Sequence, residues 1–300
     1  MHLIKLAMLL CSLWITNAYA LEKASSNIPL RAKYTELSKQ LNNNQFKRTL
    51  YLNSMESSHD LKGEIYAVID YPFASVNQAL NNPAHWCDVL ILHINIKYCH
   101  ADENKSGTTL TVNLGKKNEQ PLADTYSVDF SYRDSITTPD YFTLELNAEN
   151  GPLNTRDYRI WVEATPIKGG QTFLHFTYAY AFGFAGRVAM QSYLATLGSE
   201  KVGFTVTGKL PDGRPSYIKG VRGVVERNTM RYYLAIDAYL SKLNTPANQQ
   251  LEQRLQSWYR STEEYPRQLH EVELNEYLTM KRDEYQRQQT VNQPIDLIRF

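Results

Sequence analysis

The feature that most limits the fold of this chain is a series of five segments between residues 109 and 180 in which apolar and polar side chains alternate. Leu110, Val112 and Leu114 share one face of the first segment. Tyr126, Val128, Phe130 and Tyr132 alternate with Ser127, Asp129 and Ser131 in the second. Phe142, Leu144 and Leu146 mark the third, and Tyr158, Ile160 and Val162 the fourth. Leu174, Phe176, Tyr178 and Tyr180 mark the fifth. A period of two residues is that of a strand with one buried face. The connectors carry turn chemistry, as in Asn150-Gly151-Pro152 and Gly169-Gly170. They leave no room for crossover helices, so the strands are expected to form an antiparallel meander.

The flanks complete the pattern. Upstream, residues 29–41 have helical spacing and residues 46–53 read as a strand. Residues 61–71 form a further strand, ended by Pro72, which brings no N–H to a ladder. Phe73, Val76 and Leu80 share a helical face. Trp86 and Cys87 open an apolar stretch reaching Leu92, and a strand follows over 94–99. Downstream, a helix is expected over 184–197, irregular chain over 201–220, and the strongest helix over 221–243. In that helix Val225, Thr229, Tyr232 and Ile236 lie on one face, with Arg222, Arg227 and Arg231 elsewhere. Thr245-Pro246 caps a helix running to about residue 261, and one charged helix is expected over about 264–289. The fold class is α+β. It divides into a leader (1–20), an N-terminal helix and strand (21–59), a main domain (60–243) and a helical C-terminal extension (244–300).

Residues 1–20 read as a signal peptide. Lys5 provides the positive start, residues 6–15 the apolar stretch and Ala18-Tyr19-Ala20 the cleavage site. The protein is therefore expected to be periplasmic or secreted, with no transmembrane anchor, because no later stretch is apolar enough. Loss of Lys5 takes the formal charge from +1 to 0. A neutral chain offers no electrostatic case for nucleic acid. Of the cysteines, Cys87 and Cys99 remain after cleavage, and in an oxidising compartment they are expected to pair. The competing reading adds His85 and His100 as metal ligands, but zinc-finger spacing is absent. Tyrosine outnumbers phenylalanine 21 to 10. An apolar ring with one polar handle suits the lining of an amphipathic cavity.

Residues 63–71 as first strand, 72–92 as a helical pair, 94–181 as the remaining strands and 221–243 as a long helix together resemble the START-like, or helix-grip, superfamily. This superfamily includes lipid-transfer domains, pollen-allergen-like carriers and polyketide aromatases. The chain also resembles a family of exported bacterial proteins in Trp86-Cys87-Asp88, Asp157-Tyr158-Arg159 and residues 226–233. The superfamily resemblance implies a curved sheet gripping the long helix around an apolar cavity, and hence non-catalytic carriage of a hydrophobic, lipid-like molecule. Cavity candidates are Tyr126, Phe130, Tyr132, Phe142 and Leu144 on the early strands. Phe176, Tyr178 and Tyr180 join them from the last strand, and Tyr232 and Ile236 from the helix. Arg159, Glu226, Arg231 and Asp237 are candidates for a polar patch at the cavity end. The alternatives are a cavity enzyme of aromatase or cyclase type, using such a patch as acid and base, and an envelope protein acting on a partner through its C-terminal helices.

Other motifs fail. Residues 203–209 fit G-x-x-x-x-G-K, but Leu210 replaces the hydroxyl residue that a P-loop needs. His270-Glu271 begins a zincin-like string in which Leu274 occupies the second histidine position. No cofactor and no metal are expected.

Overall fold

The computed structural model describes residues 27–291, apart from 106, 184, 185, 187 and 189–199. The leader and most of the helix expected over 184–197 lie outside the described residues. Eight strands form one antiparallel sheet: β1 (Leu50–Glu56), β2 (Asp60–Ile69), β3 (Ile96–Asn104), β4 (Gly107–Leu114), β5 (Tyr126–Thr138), β6 (Tyr141–Asn150), β7 (Thr155–Pro166) and β8 (Thr172–Phe182). Their spatial order is β1-β2-β8-β7-β6-β5-β4-β3. The five alternating segments are β4 to β8, paired in sequence as a meander. β8 then closes back on β2, with Ile65 opposite Phe176 and Gly63 opposite Tyr178. The fold is α+β, a curved antiparallel sheet packed against long helices.

Two short helices, α3 (Phe73–Leu80) and α4 (Pro83–Leu90), join β2 to β3. The Asn82 side chain caps α4 by accepting from the Ala84 N–H at 3.0 Å, and Pro83 occupies the first turn. Cys87 on α4 is disulfide-bonded to Cys99 on β3. The long helix α5 (Gly220–Leu240) lies across the inner face of the sheet. Gly63 on β2 permits that approach, because a Cβ there would collide with the Thr229 side chain of α5. Before α5, residues 206–209 and 215–217 form a small hairpin, β9 (Val206–Lys209) and β10 (Pro215–Tyr217), in chain expected to be irregular.

The N-terminal helices α1 (Asn27–Glu36) and α2 (Ser38–Asn42) cover part of the outer face. There Leu30, Leu37 and Leu41 pack on Tyr141 and Phe173. The C-terminal helices α6 (Ala247–Glu263), α7 (Pro266–Leu269) and α8 (Leu274–Val291) wrap the other side of α5 and the β3 edge. Trp258 donates to the Arg231 carbonyl at 3.1 Å and stacks on Tyr277, whose hydroxyl donates to the Leu92 carbonyl at 2.7 Å.

Arg227 and Arg231 are 3% and 2% exposed, with α6 to α8 packed over α5. One expectation is corrected. The single helix expected over 264–289 is broken. Pro266 starts the short α7, and residues 270–273 are non-helical before α8 begins.

Candidate functional site

Between the sheet and α5 lies a cavity of about 710 Å³, within the usual span of small-molecule sites. Its apolar wall is built by strand alternation. Phe130, Tyr158, Ile160, Tyr178 and Tyr180 point inward from β5, β7 and β8, and Val112 and Leu114 from β4. Tyr158 and Tyr180 stack at 5.2 Å, and Tyr178 lies 5.2 Å from Tyr232. Burial raises the Tyr158 hydroxyl to about 12 and also raises those of Tyr178, Tyr180 and Tyr232. The rings are neutral and act as apolar surface with one hydrogen-bonding tip each.

Helix α5 contributes Val224, Arg227, Asn228, Arg231 and Tyr232 to the lining. Their spacing of three and four residues is one stripe of an α-helix. The stripe is apolar at its ends and cationic in the middle. Lys116 and Lys117 reach the cavity from the loop after β4, Lys201 from the chain before β9, and Glu271 from the break between α7 and α8.

These segments meet at Glu271. Its carboxylate lies 2.5 Å from Arg231, 2.7 Å from Lys117 and 3.3 Å from Lys201. Lys201 also donates to the His270 carbonyl at 2.7 Å, and Arg227 to the Val202 carbonyl at 3.2 Å. Burial alone would favour the neutral acid, but Arg231, Lys117 and Lys201 outweigh it and hold Glu271 below the usual carboxylate range. Lys117 is lowered by burial and by its neighbour Arg231.

His93 lines the same cavity from the α4–β3 junction. Its ring stacks on Tyr232 at 4.4 Å, and its Nδ1 accepts the Asn95 N–H at 3.2 Å. Burial, then Arg231 and Lys281, keep this imidazole well below its ordinary pKa. With Nδ1 accepting, the proton sits on Nε2, which is buried and has no partner among the described residues.

Of the residues singled out from the sequence, Phe130, Tyr178, Tyr180, Tyr232 and Arg231 line the cavity. Phe142, Leu144, Phe176 and Ile236 are buried in the surrounding core. Tyr126 is 44% exposed. It sits opposite Leu114 on β4, while β6 pairs with β5 only from Ser131 onward, so no β6 residue stands opposite it. Tyr132 is half-buried, its hydroxyl donating to Asn81.

The remaining polar candidates lie away from the lining. Arg159 projects from the opposite face of β7 and pairs with Glu145 at 2.9 Å. Asp237 pairs with Arg48 at 2.8 Å. Glu226 is fully buried and accepts four hydrogen bonds, from Ser54, the Thr205 hydroxyl and the backbone N–H groups of Phe204 and Thr205. It therefore pins the loop at Gly203, where a Cβ would meet Glu226 and the Gly223 backbone. The P-loop-like string thus directs its amides at this chain's own carboxylate.

Sequence reasoning missed Lys117, Lys201, His93 and Glu271. The one local signal was the stripe through Arg227, Asn228 and Arg231.

No protein-family model and no curated protein matches the chain. Among solved structures it is similar to the crystal structure of Ara h 8.0201, with a TM-score of 0.35 and 12% identity over 64% of this chain and 99% of that one. It is similar to a protein from Arthrobacter aurescens solved by NMR, with a TM-score of 0.33 and 14% identity over 65% and 92% of the two chains. The human StarD13 (DLC2) lipid transfer and protein localization domain gives a TM-score of 0.27 and 10% identity over 55% and 88%.

Proposed function

We propose that this protein binds a hydrophobic small molecule in the cavity between the sheet and α5, outside the cytoplasm and without chemistry on its ligand. The observation that carries this reading is the cavity of about 710 Å³ with its wall of Phe130, Tyr158, Ile160, Tyr178, Tyr180 and Tyr232. Apolar surface left unfilled inside a domain gives up packing contacts, and a hydrophobic ligand restores them. The leader over 1–20 and the Cys87–Cys99 disulfide support an oxidising compartment. The C-terminal helices act as part of the container in this reading. They cover α5 and bring Glu271 to the cavity.

The test is titration of the protein with the neutral fluorophore N-phenyl-1-naphthylamine. One saturable site is expected, together with a melting temperature that rises with ligand concentration. Leu114→Trp, which fills space at the half-buried lining, is expected to reduce uptake while the far-ultraviolet spectrum is unchanged. A protein that takes up no fluorophore would contradict the reading, and so would conversion of an added lipid to a new product.

A further inference from the structure

In the lining of the cavity, His93 presents a donor that the described residues leave unused. Its backbone is fixed on both sides. The N–H donates to the Leu90 carbonyl at 2.9 Å, and the carbonyl accepts from the Ile96 N–H at 3.0 Å and the Lys281 ammonium at 3.2 Å. The ring is held as well. It stacks on Tyr232 at 4.4 Å, lies 6.4 Å from Trp258 and accepts the Asn95 N–H on Nδ1. The residue is 2% exposed, and its Nε2–H has no partner among the described residues. A buried donor left unpaired costs about 1–3 kcal/mol, and such groups are few in folded proteins. Phenylalanine here would stack on Tyr232 without that cost. The neighbouring hydroxyls of Tyr178 and Tyr232 can give or take a hydrogen bond, whereas Nε2–H can only give one.

Building on the proposed binding function, we infer that the ligand is an uncharged molecule with a carbonyl-type oxygen on its apolar body, and that His93 Nε2–H donates to this oxygen. The body lies against Phe130, Ile160, Tyr178 and Tyr232. The match is uncharged for two reasons. Glu271 already pairs with Lys117, Lys201 and Arg231. A charge brought to a residue as buried as His93 would lose its water. Burial also keeps the imidazole neutral, so the bond it offers is one between neutral partners. A site with a donor to satisfy discriminates strongly against a ligand of the same shape that lacks the acceptor. His93 thus sets which hydrophobic molecules the cavity prefers.

The experiment displaces N-phenyl-1-naphthylamine from the full-length protein with fluorenone, fluorene and fluorenecarboxylate. Fluorenone and fluorene share one flat shape and differ by a carbonyl oxygen. After correction for their partition between water and octanol, fluorenone is expected to compete at least about fivefold better than fluorene. In His93→Phe the ratio of the two affinities falls toward one. In His93→Gln, whose side-chain amide keeps an N–H donor, the ratio stays above that of His93→Phe. Melting curves accompany both variants. Since a variant can fail to fold, a second measurement uses the wild type with isotope-labelled histidine. The His93 Nε2–H proton resonance is expected further downfield with fluorenone than with fluorene.

Equal corrected affinities in the wild type would overturn the inference, because a water molecule would then serve Nε2–H as well as a ligand does. An unchanged ratio in a folded His93→Phe would also overturn it, and so would the same proton position in both complexes. Fluorenecarboxylate competing at lower concentration than fluorenone would show recognition of charge instead. Each of these results leaves the proposed function standing. Failure of the fluorophore itself to bind would remove the proposed function together with this inference.

Discussion

Two ionic clusters lie on either side of the α4–β3 junction, and they use similar side chains to opposite ends. Beneath α8, Lys97 and Lys281 are fully buried and share Glu284, at 2.8 and 2.6 Å. Lys281 also donates to the carbonyls of His93 and Ile96, Lys97 touches the Met280 sulfur, and Gln288 accepts the Cys99 N–H. At the cavity, Lys117, Lys201 and Arg231 share Glu271 beside open space. The first cluster is closed and staples the C-terminal helix to the sheet edge. The second pairs its ions at the lining of the cavity, with room beside it. His93 stands between them, its imidazole kept neutral by burial and by cations of both clusters. Charge alone therefore does not mark a site. What separates the clusters is whether the protein has closed around its ions.

The largest effect is expected at the closed cluster. Glu284→Gln leaves two ammonium groups buried without a counter-charge, and should cost about 3–5 kcal/mol in urea unfolding. A loss near zero would mean that the two clusters are both solvated, and the comparison would fail. Next comes the junction itself. Replacing both cysteines by alanine opens the Cys87–Cys99 bridge, whose sequence separation is 12. It should remove about 3 kcal/mol in the chain-entropy model, measurable as a lower denaturation midpoint with unchanged slope.

A third effect depends on pH. Burial outweighs the pull of Glu284 and lowers the Lys281 ammonium to about 8, whereas an unfolded lysine holds its proton to about 10.4. From about pH 8 to about pH 10 the unfolded chain binds more protons, so stability rises with pH across that window, by about 2 kcal/mol. Above about pH 10 the sign reverses, because Tyr178 and Tyr232 keep hydroxyl protons that unfolded tyrosines release. Unfolding curves across pH 7–11 test this, and Lys281→Met should flatten the rise. The smallest effect is expected at Arg159, whose pair with Glu145 is exposed. Arg159→Ala should change stability by less than about 0.5 kcal/mol and leave fluorophore uptake as it was.

The alternating strands were legible in the sequence because each strand writes its own buried face. Phe130, Tyr178 and Tyr180 were found by that rule, and the order of strands and long helix followed from short connectors. The polar end of the cavity was not legible, because Lys117, Lys201 and Glu271 come from three loops far apart in the chain. No local period brings them together. Arg227 and Arg231 were visible as a pair one helical turn apart, and Arg231 as a cavity-end candidate, but their burial is a matter of tertiary packing that no local period shows. Glu226 and Asp237 looked like acid and base candidates for the same reason. Each has a partner, Ser54 and Thr205 for one and Arg48 for the other, that only the tertiary fold supplies. The break that carries Glu271 interrupts a helical pattern, and such departures from local preference gather at functional places.

The most direct measurement is native mass spectrometry of the protein isolated without denaturation from its own source, followed by solvent extraction. One bound molecule per chain is expected, with the mass of a hydrophobic small molecule that passes into the solvent extract. A ligand-free mass, in a preparation that also takes up no N-phenyl-1-naphthylamine, would contradict the claim that this cavity is a binding site.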